Sequence, residues 1–486
     1  MNRSMIRYIL GWVLKIEAVL LLLPCVVAVI YQEEAIQAFL ITVALCAVCG
    51  FLMTHKKPDN TVFYLKEGCI ATALSWIVMS LFGCLPFIIS GSIPSFTDAL
   101  FETISGFTTT GATILADVEI LPRSILFWRS FTHWIGGMGV LVFLLAVVPM
   151  SGGSNMNLMK AESPGPSVGK LVPKVRVTAR ILYYIYIGMT ITQIVLMVLG
   201  GAPLFDAVTI SFGTAGTGGF GVRNDSIAGY LPYIQWLVAV FMALFGINFN
   251  AYYFLLYRKW KKAFSMEEVR YYFLIMFAVT GIITVDVLHA SLGTGHTVRD
   301  VFFQVSSLMT STGFSTLDYD IWPVTSKTLL VMIMFVGACA GSTGGGIKVS
   351  RFVILLKTMK KEMNSYMYPK SIRKIRMEGK PVEHEVVRAV NVFFITFMML
   401  FALSILIVSF DGMDMISNFT GVLACLNNIG PGMEMAGPTE NFTAFSSLSK
   451  YVLMFDMLAG RLELFPMLLL FHPSAWKQMA CRKSRG

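Results

Sequence analysis

A chain of 486 residues that is 56% hydrophobic and only 14% charged is not a soluble enzyme, because soluble domains carry about 25% charged residues. The formal net charge of +10 does not point to nucleic acid either, since lysine and arginine gather in a few linkers, as orienting charges do in membrane proteins. The predicted fold class is an all-α polytopic membrane protein, with length for about ten spans of roughly 20 residues each.

The chain begins MNRSMIRYILGWVLKIEAVLLLL, a basic start and an apolar stretch. Lys15 and Glu17 interrupt it and no small-residue cleavage site is evident, so a retained first span is expected rather than a signal peptide. Spans follow from the apolar pattern near residues 9–30, 36–53, 68–89, 124–148, 179–200, 231–256, 270–290, 327–357, 386–410 and 450–472. An even number puts both termini on one side. That side carries Arg3, Lys56, Lys57, Arg258, Lys259, Lys160, Lys170, Lys174, Arg373 and Arg482, whereas Glu33, Asp98, Asp117, Glu119 and Asp320 fall on the other. The positive-inside rule makes both termini cytoplasmic, and the acidic outer face would concentrate cations. The eight cysteines are scattered, mostly inside apolar segments. Cys46 and Cys49 form a C-x-x-C, but within an apolar helix and outside any βαβ context, so neither a disulfide framework nor a redox site is expected.

Between four pairs of spans lies something shorter. PSFTDALFETISGFTTTGAT, APLFDAVTISFGTAGTGGFG, TVRDVFFQVSSLMTSTGFST and DMISNFTGVLACLNNIGPGM share one plan: an acid near the start (Asp98, Asp206, Asp300, Asp414), about ten apolar and small residues, then a polar turn around glycine. Segments this short do not cross a bilayer as helices and read as re-entrant. The turn glycines Gly111, Gly218, Gly313 and Gly430 recur roughly once per hundred residues, a fourfold internal repeat of span, re-entrant pore helix and span. The predicted units are 1–60 (two extra N-terminal spans), 61–150, 151–262, 263–380 and 381–486.

Non-helical backbone at membrane depth survives only where it is buried in protein or lines water. Four such turns meeting on one axis would offer rings of carbonyl oxygens that replace the hydration shell of a cation. Glycine suits this because it adopts φ > 0 without strain. The threonines Thr108, Thr109, Thr110, Thr214, Thr217, Thr310 and Thr312 add hydroxyls or brace the turns. Oxygen ligands without a fixed carboxylate suit a monovalent ion. Tight turns or close helix contacts are the alternative account of these glycines.

GFTTTGAT, GTAGTGGFG, TSTGFST and NNIGPGM resemble the four filter segments of the Trk/Ktr/HKT superfamily of potassium transporters. The bacterial TrkH-type potassium-translocating subunits are most similar. The likeness extends over nearly the whole chain, through FWRSFTHWIGGMGV, AESPGPSVGKL, GINFNAYYF and YPKSIRKIRMEGKPV. It implies a potassium filter at Thr109, Thr110, Gly111, Thr217, Gly218, Thr312, Gly313, Ile429 and Gly430. It also implies that glycine rather than serine at 111 favours potassium over sodium. No turn reads T-V-G-Y-G, and Pro431 lacks a backbone donor, so fewer ion sites and looser discrimination are expected than in a channel with four identical loops.

The stretch GACAGSTGGGIKVSR (337–351) has the look of a phosphate cradle, but Ile347 precedes Lys348 and Val349 replaces the hydroxyl residue. The Walker motif also requires a preceding strand, which a transmembrane run does not supply. Four glycines at 341, 344, 345 and 346 each lower helix propensity by about 1 kcal/mol relative to alanine and should break the span near its middle. The resemblance makes Gly341, Ser342, Thr343, Gly344, Gly345 and Gly346 an intramembrane gating loop, contacted by an arginine matching Arg461. A G-x-x-x-G packing stripe from Gly337 to Gly341 is the blander account. Arg461 lies mid-span, where a charge must face protein or water; an ion pair with Asp456 or Glu463 is its structural alternative, and its charge would hold back cations while the loop is closed. Arg129 and His133 fit either bracing of the first filter segment or anchoring of a helix end. Asp286 receives no role. Asn418 and Asn441 match N-x-[ST], and Asn418 falls in a re-entrant helix, so its match is read as chance.

No H-E-x-x-H, G-x-S-x-G or metal-ligand spacing appears among the six histidines, so no enzyme is expected. Two alternatives remain from other classes: a sodium- or proton-coupled carrier using Glu463, Asp456 or Asp286, and an intramembrane enzyme on lipid-phosphates held by basic linkers. The expected cargo is potassium ion, with no nucleotide bound by this chain. The resemblance implies a homodimer in the bacterial inner membrane and a peripheral TrkA-like ring of RCK domains, for which 357–380 and 149–178 are candidate docking segments.

Overall fold

The computed structural model describes residues 2–58, 64–139, 175–290, 297–370 and 374–476. Residues 140–148 of the fourth expected span, most of the 149–178 linker, Arg373 and Arg482 lie outside the described residues.

Two helical runs precede the repeats. Helix α1 (Arg3–Leu20) continues into α2 (Leu22–Ile30), and α3 (Ile36–His55) returns along it. The contact is close because both faces carry glycine: a Cβ on Gly50 would lie 2.9 Å from the carbonyl oxygen of Gly11. Between the runs, the Glu33 carboxylate accepts the backbone N–H groups of Arg123 (2.6 Å) and Ser124 (2.9 Å). An acid thus satisfies the positive end of a helix from the first repeat.

Repeat one contains α4 (Leu65–Gly83), α5 (Leu85–Ile89), α6 (Phe96–Phe107) and α7 (Arg123–Gly137). Repeat two contains α8 (Val175–Leu199), α9 (Leu204–Gly216), α10 (Pro232–Phe245), α11 (Phe249–Leu256) and the short α12 (Trp260–Ser265). Repeat three contains α13 (Glu267–His289), α14 (Thr297–Met309), α15 (Val324–Val336) and α16 (Val349–Met367), followed by a hairpin of β1 (Arg376–Met377) and β2 (Lys380–Pro381). Repeat four contains α17 (His384–Val408), α18 (Met415–Leu426), α19 (Ser447–Arg461) and α20 (Phe465–Leu470), before the terminal turn α21 (Pro473–Trp476).

Among the described residues, six helical runs are long and apolar enough to cross a membrane: Arg3–Ile30, Ile36–His55, Leu65–Ile89, Arg180–Leu199, Glu267–His289 and His384–Asp411. They are the two N-terminal runs and the first helix of every repeat. Val392, Ile395, Met399, Leu403 and Leu406 stand exposed along α17, an apolar stripe suited to lipid rather than water. The chain is thus an all-α, multi-pass membrane protein.

The second helices differ from the expectation of continuous spans at 231–256 and 450–472. The sequence signals a break only in repeat three, where α15 ends at Val336 and α16 starts at Val349. In repeat two, α10 and α11 meet at 91°, and Asn248 caps the new helix by accepting the Asn250 N–H (2.9 Å). In repeat four, Glu463 (φ 58°) and Leu464 (φ 66°) take left-handed backbone before Pro466 enters α20. A positive-φ leucine in so sparsely populated a region costs about 1–3 kcal/mol, and the average apolarity of the run carries no sign of it.

The pore helices α6, α9, α14 and α18 have 12 or 13 residues, about 18–20 Å of helix. Each carries an acid at or near its outer end, as the sequence suggests. Asp414 accepts the Ser417 N–H (2.9 Å), Ser95 caps α6 beside Asp98, and Asp206 and Asp300 lie in first turns. Their other ends are buried under the second helices. A Cβ on Gly136 of α7 would overlap the Phe107 carbonyl, and one on Gly460 of α19 the Leu426 carbonyl.

Candidate ion pathway and gate

Each pore helix ends in the same turn. The first residue is left-handed: Thr109 (φ 56°), Thr217 (55°), Ser311 (56°), Asn428 (55°). The next donates its N–H back to the helix: Thr110 to Ser105 (2.9 Å), Gly218 to Gly213 (2.8 Å), Thr312 to Ser307 (2.8 Å) and Ile429 to Ala424 (2.8 Å). The third is a left-handed glycine: Gly111 (81°), Gly219 (82°), Gly313 (85°), Gly430 (98°). This corrects one position read from the sequence. Gly219, not Gly218, is the counterpart of Gly111, Gly313 and Gly430. Counting back from a conspicuous glycine chose the first of two neighbours; counting forward from the helix end chooses the second.

The four turns close on one another. A Cβ on Gly111 would strike the Gly218 carbonyl oxygen, one on Gly219 that of Thr312, one on Gly313 that of Ile429, and one on Gly430 would lie 2.6 Å from that of Thr110. Each glycine therefore faces the carbonyl of the next repeat, and the fourth faces the first. A side chain at these positions would be strained by its φ and blocked by its neighbour. All four line one cavity, together with Pro431, Glu440, Asn441 and Arg223. At its margin the Asn224 side chain and the Glu119 N–H hold the Asp117 carboxyl below its usual range, which keeps it charged.

Bonds just beyond the turns join the repeats in the same cyclic order. Phe220 N–H donates to His133 Nε2 (3.2 Å), Ile227 N–H to Ser315 O (3.0 Å), Tyr319 Oη to Gly432 O (2.9 Å), and Phe442 N–H to Thr113 O (2.9 Å). His133 and Arg129 are thus bracing residues, and the helix-end account fails because both are buried. His133 Nδ1 donates to the Gly106 carbonyl (2.8 Å), so the tautomer protonated at Nδ1 satisfies both bonds. Its ring also explains Gly218, whose Cβ would collide with it. Arg129 pairs with Glu102 (2.7 Å), and the guanidinium is 2% exposed; it also reaches the Gly221 carbonyl (3.2 Å).

On the basic side of the turns lies the glycine-rich segment, irregular from Gly337 to Lys348. Its base is closed by Gly337 against Gly346 and by Val349 N–H to Ala338 O (3.1 Å). Its tip presses on the pore turns: a Cβ on Gly344 would lie 2.7 Å from the Thr310 carbonyl, and Gly345 N–H donates to Ser311 Oγ. It also docks on the break in repeat two, through Cys339 N–H to Gly246 O (3.0 Å) and Phe249 N–H to Gly341 O (3.0 Å).

Arg461 reaches this loop, donating to the Thr343 carbonyl (2.8 Å) and to the carbonyls of Gly136 and of Gly137 (2.9 Å). The two acids weighed as its partners are engaged elsewhere. Asp456 accepts from Ser404 (2.9 Å) and Glu463 pairs with Arg351. Asp286 accepts from Ser326 (2.6 Å). Each of these three carboxylates is thus bound to a partner of its own rather than to another acid. A second cavity is lined by Gly344, Gly345, Gly346, Lys348, Arg351, Arg461 and Glu463, so three basic side chains border the space beyond the loop, one of them paired with an acid.

The family model described as "TrkH: Cation transport protein" matches residues 32–478. The chain belongs to the TrkH family. It is 35% identical over 487 residues to the Trk system potassium uptake protein TrkH of Escherichia coli K12, covering 98% of this chain and all of that one. It is 33% identical to TrkH of Halomonas elongata at the same coverage. The crystal structure of the potassium transporter TrkH from Vibrio parahaemolyticus superposes with a TM-score of 0.88 at 32% identity, covering 98% of this chain and 100% of that one.

Within this TrkH-family fold, sequence reasoning missed several residues of the site. Gly219, Ser311 and Asn428 are identified by backbone equivalence alone. Lys348, dismissed with the Walker pattern, is 3% exposed and donates to the Gly344 carbonyl across the loop. Glu268, 6% exposed, accepts the N–H groups of Ala340 (2.6 Å) and Ser350 (3.2 Å) and the Asn248 amide (3.3 Å). One carboxylate thereby holds both feet of the loop. The signal was GINFN followed by a paired Glu267–Glu268 at a helix start, but nothing local ties either to residues 340 and 350.

Proposed function

We propose that this chain is the potassium-translocating subunit of a TrkH-type uptake system, with its filter at the four pore turns and its gate at the loop around 341–346. The observation that carries the reading is the closed cycle in which each turn glycine faces the carbonyl oxygen of the next repeat. Such a ring offers partial negative charge without a carboxylate, which exchanges for the hydration of a monovalent ion and releases it again. The helix C-termini behind the turns add to the same field. The loop beneath them and the charge of Arg461 oppose passage in this conformation, Arg351 being offset by its ion pair with Glu463.

The basic linkers favour cytoplasmic termini in a bacterial inner membrane. The units 61–150, 151–262, 263–380 and 381–486 are the corresponding functional repeats, and 1–60 supplies the two extra N-terminal spans. A homodimer with a TrkA-like RCK ring docked on 357–380 and 149–178, and nucleotide bound by that ring rather than by this chain, completes the proposal. Thermal unfolding of the purified chain tests the filter without needing a partner, because a bound ion stabilises by mass action. Potassium and rubidium should raise the melting temperature more than sodium or choline at equal ionic strength. An equal effect of all four contradicts an ion-selective filter.

A further inference from the structure

Ser311 belongs to two devices at once. It is the left-handed first residue of the third pore turn, fully equivalent in backbone to Thr217 of the second. Both hydroxyls donate to the carbonyl just before them, Thr217 to Gly216 (2.5 Å) and Ser311 to Thr310 (2.6 Å). Only the Ser311 oxygen, among these two, also accepts a bond from the loop, the Gly345 N–H. Gly345 is held against this site on its other side too, since its Cβ would meet the Asn427 carbonyl and lie 3.0 Å from Asn428 Cβ. Ser311 is 1% exposed while the loop is in place, so the loop's N–H holds this acceptor to the exclusion of water and ion alike. An acceptor that loses its donor takes up another donating or positive partner.

We propose that loop closure and cation occupancy at the inner end of the pore turns compete for the Ser311 hydroxyl oxygen. Ser311 is then a positioning residue that couples gate to filter. With the loop in place, its Gly345 N–H satisfies the oxygen. With the loop withdrawn, a dehydrated monovalent cation in the innermost layer does so. By linkage, whatever factor an ion at this layer contributes to loop release, release contributes to ion affinity. The inference rests on the filter-and-gate reading above and adds the residue that connects the two parts.

The test is a double-mutant cycle in proteoliposomes carrying the full chain. Potassium flux is measured with the loop intact and with 342–346 deleted, in the Ser311, Ser311→Ala, Ser311→Thr and Thr217→Ala backgrounds. The gain on deletion should shrink about fivefold in Ser311→Ala, the equilibrium shift that one hydrogen bond supplies. It should be retained in Ser311→Thr and in Thr217→Ala, since the first keeps the hydroxyl and the second removes an equivalent hydroxyl the loop does not touch. The same gain in Ser311→Ala as in Ser311, or an equal loss in Thr217→Ala, overturns the coupling. If the deletion protein does not fold, Arg461→Gln serves as the loop-releasing change and the same ratios are read. Loss of preference for potassium over sodium in the deleted Ser311 protein would instead count against the filter, leaving the coupling ratio to be judged separately.

Discussion

The guanidinium of Arg461 donates to the carbonyl oxygen of Thr343 at 2.8 Å while its other terminal nitrogen bonds the carbonyls of Gly136 and Gly137. One side chain from the fourth repeat thus ties the loop of the third to the second helix of the first. Because Arg461 lies where α19 ends and a left-handed break begins, the tie sits at a joint rather than in a rigid span. A planar guanidinium spans such a set of acceptors; a lysine ammonium is a single point of donation.

Arg461→Ala should therefore raise basal potassium flux, because the loop loses a charge-assisted bond and the path loses a cation. Arg461→Lys should give an intermediate rise, keeping the charge but not the bridge. Flux into proteoliposomes at matched protein density checks both; unchanged flux in Arg461→Ala would remove this residue from the gate.

Glu268 holds the loop at its feet rather than at its tip. Glu268→Ala leaves the Ala340 and Ser350 N–H groups and the Asn248 amide short of an acceptor, at about 1–3 kcal/mol for each unsatisfied group. The expected outcome is a lower melting temperature and higher basal flux with an unchanged potassium-to-sodium ratio, since no pore turn is touched. Glu268→Gln retains one acceptor oxygen and should fall between. A change in the ion ratio would mean that Glu268 acts on the filter instead.

Two adjacent glycines should answer differently. Gly219→Ala places a methyl on a left-handed residue against the Thr312 carbonyl and should reduce potassium flux and preference together. Gly218→Ala collides with the His133 ring, and its effect should be partly relieved in the double variant with His133→Ala. Relief of Gly219→Ala by His133→Ala, or none for Gly218→Ala, would contradict the register assigned to the second turn.

Arg129 and Glu102 form a buried pair behind the first turn, with Thr113 and the Gly221 carbonyl also bound. Removing one partner of such a pair costs about 3–5 kcal/mol. Arg129→Met alone and Glu102→Gln alone should each lower thermal stability strongly, and the double variant by less than their combined effect. Additive losses would indicate that the two side chains act independently.

Much of this architecture was legible because membrane-spanning helices announce themselves by length and apolarity, and because four copies of one motif reinforce each other. The pore helices, their capping acids and the break at 337–348 all leave local marks: short segments, Ser95 or Asp414 at a helix start, four clustered glycines. The breaks at Gly246–Asn248 and Glu463–Leu464 are marked only by scattered residues, Asn248 and Asn250 in one and Gly460, Arg461, Glu463 and Pro466 in the other, set in long apolar runs whose average reads as a continuous span. The register of the second turn was ambiguous for a physical reason. Gly218 and Gly219 are each obligatory, one for a neighbouring imidazole and one for a carbonyl from another repeat, and only the assembled ring separates them. Glu268 and Ser311 were invisible for the same reason: their partners lie 72 and 34 residues away along the chain.

The most direct test of the account is potassium and sodium flux through the purified, reconstituted chain, with and without residues 342–346. The account predicts a potassium-preferring flux that rises on deletion while the preference is kept. A folded protein that passes no ion even with the loop removed would contradict it, and the glycine turns would then be structural.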